Sequence, residues 1–344
     1  MFNPKYSISP KLLGNIKRIA VLVAELSNRR FPQTVLLEIE KSSHALSAHT
    51  STAIEGNQLG LTQVKNILKN KPDCINDTEQ EILNYNNAVE YLKTLDNYQK
   101  LELDLILKIQ KLVCNKLISK NNQGKIRKDP VFIYNPQNGK TIYWPPDHCD
   151  ASKLLNELII YVQKNYSKID PLILAGIFHK QFVIIHPFID GNGRTARLIT
   201  KYLLANLGLD TYDLFSFENY YNKNVTKYFQ KVGVFGNYYE IKNNIDFTDW
   251  LEYFTGGIID ELLRCKKELE KLIEMPGFKI SKHHNKILKH IQEHGFINDL
   301  NYSKITDRAK ATRSLDFKTL VKLRLITRVG KGRATYYILS TNGD

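Results

Sequence analysis

A chain of 344 residues with 42% hydrophobic and 24% charged residues is long enough for one large core and a smaller module, and no repeat or low-complexity stretch interrupts it. No segment approaches the roughly 20 apolar residues that span a bilayer, Met1 to Lys17 lacks a basic start followed by an apolar run, and Cys74, Cys114, Cys149 and Cys265 form neither a CxxC pair nor a disulfide framework. These features exclude a membrane partner and point to the cytoplasm, while the net charge of +14 is uneven: residues 281–344 carry eight Lys and five Arg against five acids.

Residues Leu12 to about Leu68 read as helices, with Ile16, Ile19, Ala20 and Val23 at three-to-four spacing. Glu79 to Leu117 continues the pattern, Ile82, Tyr85, Val89 and Leu92 marking one face. Between Asn121 and Pro146 the chain turns to β-branched and aromatic residues. Val131-Phe132-Ile133-Tyr134, a turn at 135–140 and Thr141-Ile142-Tyr143-Trp144 predict a β-hairpin. Helix spacing resumes from Ala151 to Tyr166, and Pro171 suits the first turn of a helix running through Phe178 and Phe182 towards His186. After Gly193 a helix carries Leu198, Ile199, Tyr202 and Leu203 inward and is expected to end near Gly208. A further helix is expected from Phe247 to Met275, with Pro276-Gly277 as a boundary.

The richest chemistry lies between His186 and Arg197. Gly191-Asn192-Gly193 before a helix forms a turn whose N–H groups can converge on one anion, helped by the positive end of the helix dipole. Arg194 and Arg197, three apart, project from nearly one face and suit a polyphosphate. Asp190 is a hard oxygen ligand placed for Mg²⁺, and the imidazole of His186 can take a proton from an attacking hydroxyl. A lone histidine or a lone Gly-x-Gly is usually structural, but base, metal ligand, anion nest and charge pair together favour chemistry. Gly191-x-Gly193-x-x-Ala196 with Asp210 downstream also matches a dinucleotide fingerprint. Pro187 and Asp190 in the approach, and the helical spacing of Phe178 and Phe182, speak against the strand which that fingerprint requires.

The same twelve residues resemble the signature of the Fic family, H-P-F-x-[DE]-G-N-G-R-x-x-R, with every fixed position present. The resemblance implies a mainly α protein with a Fic-type helical core and a β-hairpin flap. It also implies ATP as co-substrate with Mg²⁺, and transfer of AMP to Ser, Thr or Tyr hydroxyls of target proteins and of the chain itself. By position, His186 would be the general base and Asp190 would hold Mg²⁺. Asn192 and the backbone of Gly191 and Gly193 would bind phosphates, and Arg194 and Arg197 would clamp the β and γ groups. The hairpin would be the flap, its residues Val131, Phe132 and Ile133 lining the nucleotide site, and Tyr228 would lie near the adenine. Gly193 stands where the phosphorylating branch of the family has Lys, which favours AMP transfer over another phosphate-transfer activity on the same fold.

Ser51 to Asn57 reads as the last turn of a helix stopped by Gly56, which leaves Glu55 near the negative end of the dipole, where a cation from elsewhere would relieve it. The segment resembles the family's inhibitory motif, [ST]-x-x-x-E-[GN], through Ser51, Glu55 and Gly56. The implied role is a brake in cis: Glu55 pairs with Arg197 and takes away the ligand of the γ-phosphate. In some relatives the same glutamate also serves removal of AMP.

The basic end reads as Ile287-Leu288-Ile291 in a first helix, a short stretch at Ser303 to Lys310, a helix from Ala311 to Leu323, and two strands around Gly330-Lys331-Gly332-Arg333. This resembles a winged helix-turn-helix, with Arg313, Lys318 and Lys322 on the candidate recognition helix and Lys331 and Arg333 in the turn. Arg324 and Arg328 add to its charge, and His283, His284, His290 and His294 lack the further ligands a metal site needs. The expected organisation is a helical region over 1–100 with the inhibitory motif at 51–57, a catalytic core with its following helices over 101–275, and a small α+β winged-helix domain over 281–340. The partners it allows are ATP, a target protein that is not named by the sequence, DNA or a docking protein through 281–340, and a second copy of the chain. The rival class is a DNA-binding transcriptional regulator whose Fic core acts as a sensor.

Overall fold

The computed structural model describes residues 2–28, 33–72, 74–95, 100–134, 139–206, 209, 216–274 and 281–340. Its elements are α1 (Pro10–Asn28), α2 (Gln33–Ile54), α3 (Leu61–Lys69), α4 (Asp77–Lys93), α5 (Leu103–Val113), β1 (Ile133–Tyr134), β2 (Thr141–Trp144), α6 (His148–Asn165), α7 (Pro171–Ile185) and α8 (Asn192–Asn206). They continue with α9 (Phe217–Asn222), α10 (Val225–Val232), β3 (Gly236–Asn237), α11 (Tyr238–Ile241), α12 (Thr248–Glu274), α13 (Lys282–His294), α14 (Asp299–Ile305), α15 (Lys310–Lys322), β4 (Ile326–Val329), a 3₁₀ turn (Gly332–Ala334) and β5 (Tyr336–Leu339). The chain divides into two compact units, one of residues 1–23 and 42–263, the other of 24–41 and 264–344. Helices α3 and α4 therefore share a unit with the segment that follows them, whereas the end of α1 and the start of α2 fall in the other.

In the larger unit α7 and α8 pack against each other at the centre, with α4 and α5 against α8 and α6 against α7. Helix α7 is apolar nearly all round, the pattern of a helix with no solvent face, and its residues from Leu172 to Phe182 are buried. Asp170 caps it by accepting from the Leu172 N–H at 2.9 Å, and Pro171 fills the first helical position, where no N–H is needed. Helix α8 is equally buried but carries Arg194, Arg197 and Lys201 inward. Buried cations require partners, and the neighbouring helices supply them. On α4, Ile82, Tyr85, Val89 and Leu92 face the core as their spacing predicts, and a capping box formed by Asn76 and Glu79 starts the helix. On α1 the buried face is Leu12, Ile19, Leu22 and Leu26, with Ala20 exposed.

The expected hairpin is shorter than its residues suggested. Strands β1 and β2 pair antiparallel at Ile133–Tyr143 and Tyr134–Thr141, Val131 and Phe132 precede the strand, and the turn at 135–138 lies outside the described residues. A third strand, β3, joins β2 in parallel through Gly236 and Asn237. Two residues including a glycine carry no periodicity, so this strand is invisible in the sequence. Tyr143 and Tyr238 pack with Ile184 of α7, and the Tyr143 hydroxyl donates to the Ile184 carbonyl at 2.9 Å, which pins the small sheet to the helix that leads to His186.

In the smaller unit, α13, α14 and α15 enclose Ile287, Ile291, Tyr302, Phe317 and Leu320 together with Ile326 of β4. Strands β4 and β5 pair antiparallel from Ile326–Leu339 to Val329–Tyr336, and a bridge between Ile297 and Tyr337 extends the pair. The short middle helix occupies Asp299–Ile305, not the stretch from Ser303 to Lys310, because Asn298 caps it in a box with Asn301. The expected helix end near Gly208, the boundary at Pro276-Gly277 and the side chain of Arg333 lie outside the described residues.

Candidate active site

His186 ends α7 in the left-handed conformation, φ 49° and ψ 59°, which turns the chain sharply into the loop 187–191. Two contacts from Arg127 hold that turn: its Nε donates to the His186 carbonyl at 2.8 Å, and its backbone N–H donates to the Pro187 carbonyl at 2.9 Å. The same guanidinium donates to the Pro146 carbonyl just after β2, so one buried arginine ties the loop to the base of the small sheet. The His186 Nδ1 lies 3.3 Å from the Val183 carbonyl. A carbonyl only accepts, so that contact selects the tautomer with the proton on Nδ1 and leaves the Nε2 lone pair for an incoming proton. Burial pulls the His186 pKa down to about 4, helped by the Arg127 charge and opposed by the Val183 hydrogen bond and by Glu55 and Asp190. The ring is neutral at pH 7.

The loop closes through Asn192, whose Oδ1 accepts from the Phe188 N–H at 2.9 Å and whose Nδ2 donates to the Phe188 carbonyl at 2.8 Å. Both ends of the Asn192 side chain therefore serve the loop. Gly191 adopts φ 80°, and a Cβ there would stand 2.5 Å from the Cys114 Sγ, so neither conformation nor space admits a side chain. Gln110 of α5 and Cys114 just after it both reach the Asp190 carbonyl, which fixes the loop from below; burial raises the Cys114 thiol to about 12 and keeps it inert.

At the first turn of α8 the structure brings the segment Ser51–Asn57 against Gly193 and Arg197. Glu55 follows the last residue of α2, and Gly56, at φ 104°, turns the chain away. The Glu55 Oε1 lies 2.7 Å from the Arg197 Nη2, and a Cβ on Gly193 would fall 2.1 Å from that same oxygen. A carboxylate thus sits against the bare backbone at a helix N-terminus, where unpaired N–H groups and the dipole favour an anion. Ser51 completes the grip: its Oγ accepts from the Arg197 Nε and its carbonyl from Nη2, both at 2.8 Å. Burial opposes the charge of Arg197, but Glu55 outweighs it and holds the guanidinium proton more tightly than usual. Its Nη1, buried beside Gly193, has no hydrogen-bond partner among the described residues.

Arg194 lies between two carboxylates, its Nη1 2.6 Å from the Glu81 Oε1 and its Nη2 2.9 Å from the Asp190 Oδ2. Asp190 keeps 45% of its side chain exposed, and no group of three His, Cys, Asp or Glu side chains that could hold a metal ion occurs among the described residues. A hard cation there would take one protein carboxylate and fill its remaining positions with phosphate oxygens and water, which is how Mg²⁺ is usually held beside phosphates. The orphaned Arg197 Nη1 and the space that Gly193 leaves open fit a phosphate in the place the Glu55 carboxylate takes.

Other expected positions fall differently. Tyr228 is only 1% exposed; it stacks on Tyr221 at 4.5 Å, and its hydroxyl meets the His179 Nε2 at 3.0 Å. Its place is inside the wall behind Arg197. Val131 and Ile133 are half-buried and Phe132 is exposed. Arg127 and Glu81 were not singled out from the sequence; a lone arginine in Lys125-Ile126-Arg127-Lys128 and a lone glutamate in an amphipathic helix carry no spacing signal.

A family model described as the Fic/DOC family matches residues 100–204. The chain is 28% identical over 227 residues to the protein adenylyltransferase Fic of Drosophila willistoni, covering 60% of this chain and 43% of that protein. It is 30% identical over 217 residues to the protein of the same name from Drosophila persimilis, covering 57% and 41%. The chain thus matches less than half the length of these relatives. A Fic family protein from Desulfovibrio desulfuricans superposes over the whole of both chains at 19% identity with a TM-score of 0.67. Fic-1 from C. elegans superposes at 20% identity with a TM-score of 0.61, covering 76% of this chain and 73% of that one. Motif, matched model and shared fold converge on one assignment: this chain carries a Fic/DOC family domain at residues 100–204.

Proposed function

We propose that this protein transfers AMP from ATP to hydroxyl groups of proteins, itself included, and that Glu55 holds it inactive until the brake is lifted. The Glu55–Arg197 ion pair against Gly193 carries this reading, because a carboxylate there occupies the position a terminal phosphate would need. Two relatives named protein adenylyltransferase support the choice of nucleotide. In the proposed reaction the hydroxyl oxygen of the target attacks the α-phosphorus and its proton passes to the His186 Nε2. The bond from the α-phosphorus to the bridging oxygen breaks, and pyrophosphate leaves. Arg197, once free of Glu55, would hold the γ-phosphate, and Arg194 and the N–H groups at the start of α8 would hold the rest. Mg²⁺ on Asp190 would neutralise charge on the departing phosphates. Strand β1 and the exposed Phe132 would align the target by backbone pairing.

Full-length protein and its Glu55→Gly variant incubated with α-labelled or γ-labelled ATP test this directly. Protein label from the α position alone, stronger in the variant, is the expected result. Label from the γ position would indicate phosphorylation, and no label from either would leave a regulatory role for the chain ahead of an enzymatic one.

A further inference from the structure

Glu55 is not the only carboxylate that reaches the two arginines of the first turns of α8. Glu81, on α4, divides its carboxylate between two elements: Oε1 meets the Arg194 Nη1 at 2.6 Å, and Oε2 accepts from the Asn57 Nδ2 at 2.8 Å. We infer that Glu81 is a positioning residue of the nucleotide site, holding Arg194 so that it shares Asp190 without covering it, and that Asn57 links this support to the inhibitory segment. The inference rests on reading residues 186–197 as a nucleotide site.

The geometry gives the reason. A guanidinium is a planar fork, and left alone with one carboxylate it closes on both oxygens. Here Arg194, with 5% of its side chain exposed, sets Nη1 against Glu81 as an ion pair without a hydrogen bond and donates a hydrogen bond only from Nη2, to Asp190. Burial disfavours its charge, but Glu81 and then Asp190 outweigh that and hold its proton firmly. Without Glu81 the strongest charge drawing Arg194 away from Asp190 is gone, and closure on Asp190 would take the oxygen a cation needs and turn the guanidinium away from the phosphates. Glu81 is itself fixed. The Asn57 Nδ2 also donates to the Thr78 carbonyl at 2.9 Å, its Oδ1 accepts from the Leu59 N–H at 3.1 Å, and its own N–H bonds the Thr52 carbonyl. Two residues after the inhibitory glutamate, the chain is thus tied to the support of the other arginine.

The test uses the full chain in a Glu55→Gly background, adding Glu81→Ala, Glu81→Gln or Asn57→Ala. Binding of a non-hydrolysable ATP analogue is measured at several Mg²⁺ concentrations, alongside kcat and KM for label transfer. Glu81→Ala should weaken analogue binding and raise KM by about tenfold or more, shift half-saturation to higher Mg²⁺, and leave kcat within about threefold. Glu81→Gln, which keeps an acceptor without the charge, should fall between, and Asn57→Ala should move binding in the same direction by less. Unchanged binding would overturn the inference, and tighter binding would make Glu81 a competitor of phosphate instead. If Glu81→Ala does not fold, Glu81→Gln decides. A Glu55→Gly parent that binds the analogue but transfers no label would sink the proposed activity and leave the Glu81 comparison intact.

Discussion

His186 shows how much one backbone angle can set. Its φ of 49° is uncommon for any residue but glycine, asparagine, aspartate or histidine, and it points the carbonyl at Arg127 while the ring turns its Nδ1 to Val183. With its pKa down near 4, the ring is the free base throughout the neutral range. The transfer rate of the Glu55→Gly enzyme, followed as kcat/KM, should therefore show no inflection due to His186 between pH 8 and 6, and should fall only as pH drops towards about 4. Removing Glu55 pushes this limb lower still, since its carboxylate raises the His186 pKa. A midpoint near 6.5 would mean that the imidazole titrates as if in water. The sign for stability is the same: an unfolded histidine takes up its proton near 6.5 and the folded one only near 4, so stability is full above 6.5 and declines as pH falls between the two. Replacing His186 by Ala should lower transfer by about 10²–10⁴-fold and leave binding of the ATP analogue in place. The motif residues were legible because their types and spacing name a chemistry. Arg127 and Glu81 were not, since each acts on the motif through a contact made across 59 or more residues of sequence, which no local pattern records.

At the scale of elements, the proposed brake would be a helix face rather than one glutamate. Ser47, Ser51 and Glu55 recur every four residues along α2 and its end, and they meet Arg197 and Lys201, four apart on α8. The Lys201 Nζ donates to the Ser47 Oγ at 2.7 Å and lies 3.2 Å from the Glu218 Oε2, which also accepts from the Ser216 hydroxyl while the Glu218 Oε1 accepts from the Tyr85 hydroxyl. Burial lowers the Lys201 pKa, and Glu218 is what keeps the charge bearable. Deleting an acceptor from a buried ammonium costs about 1–3 kcal/mol, and here that cost falls on the docked state of α2. Ser47→Ala should give AMP labelling between that of the unaltered chain and Glu55→Gly, with a melting temperature lowered by several degrees. A lowered melting point with unchanged labelling would make the serine a packing residue only. In the sequence Glu55 and Ser51 stood out through a motif, whereas Ser47 and Lys201 looked like ordinary polar residues of amphipathic helices. Helix existence was readable from periodicity over α4, and for α7 from Pro171 at its start and the four-residue spacing of Phe178 and Phe182. The short elements, β1 and β3, depend on pairing between distant segments and were shortened or missed.

For the molecule as a whole, the net charge of +14 is concentrated where the chemistry is not. The unit holding α13 to β5 displays Lys318, Lys322, Arg324, Arg328 and Lys331 at exposed positions. Arg313, the first cation expected on a recognition helix, is spent instead: its Nε and Nη2 meet the two oxygens of Asp299 at 2.8 Å, and its Nη1 donates to the Arg308 carbonyl. A bidentate guanidinium of this kind fixes α14 against α15 and is not available to a phosphate. If α15 and the β4–β5 turn serve nucleic acid, they would do so through Lys318, Lys322, Arg324, Arg328 and Lys331. Retention of the full chain on duplex DNA should then weaken with salt, each phosphate contact contributing about −0.9 to the slope of log K against log salt. Lys318→Glu with Lys322→Glu should flatten that slope by about 2, while Arg313→Ala should lower the stability of the unit and leave the slope nearly unchanged. A slope insensitive to the two lysines would move any DNA contact off α15. The exposed Leu300 and Leu315, 66% and 59% accessible on α14 and α15, would then favour a protein partner for this surface.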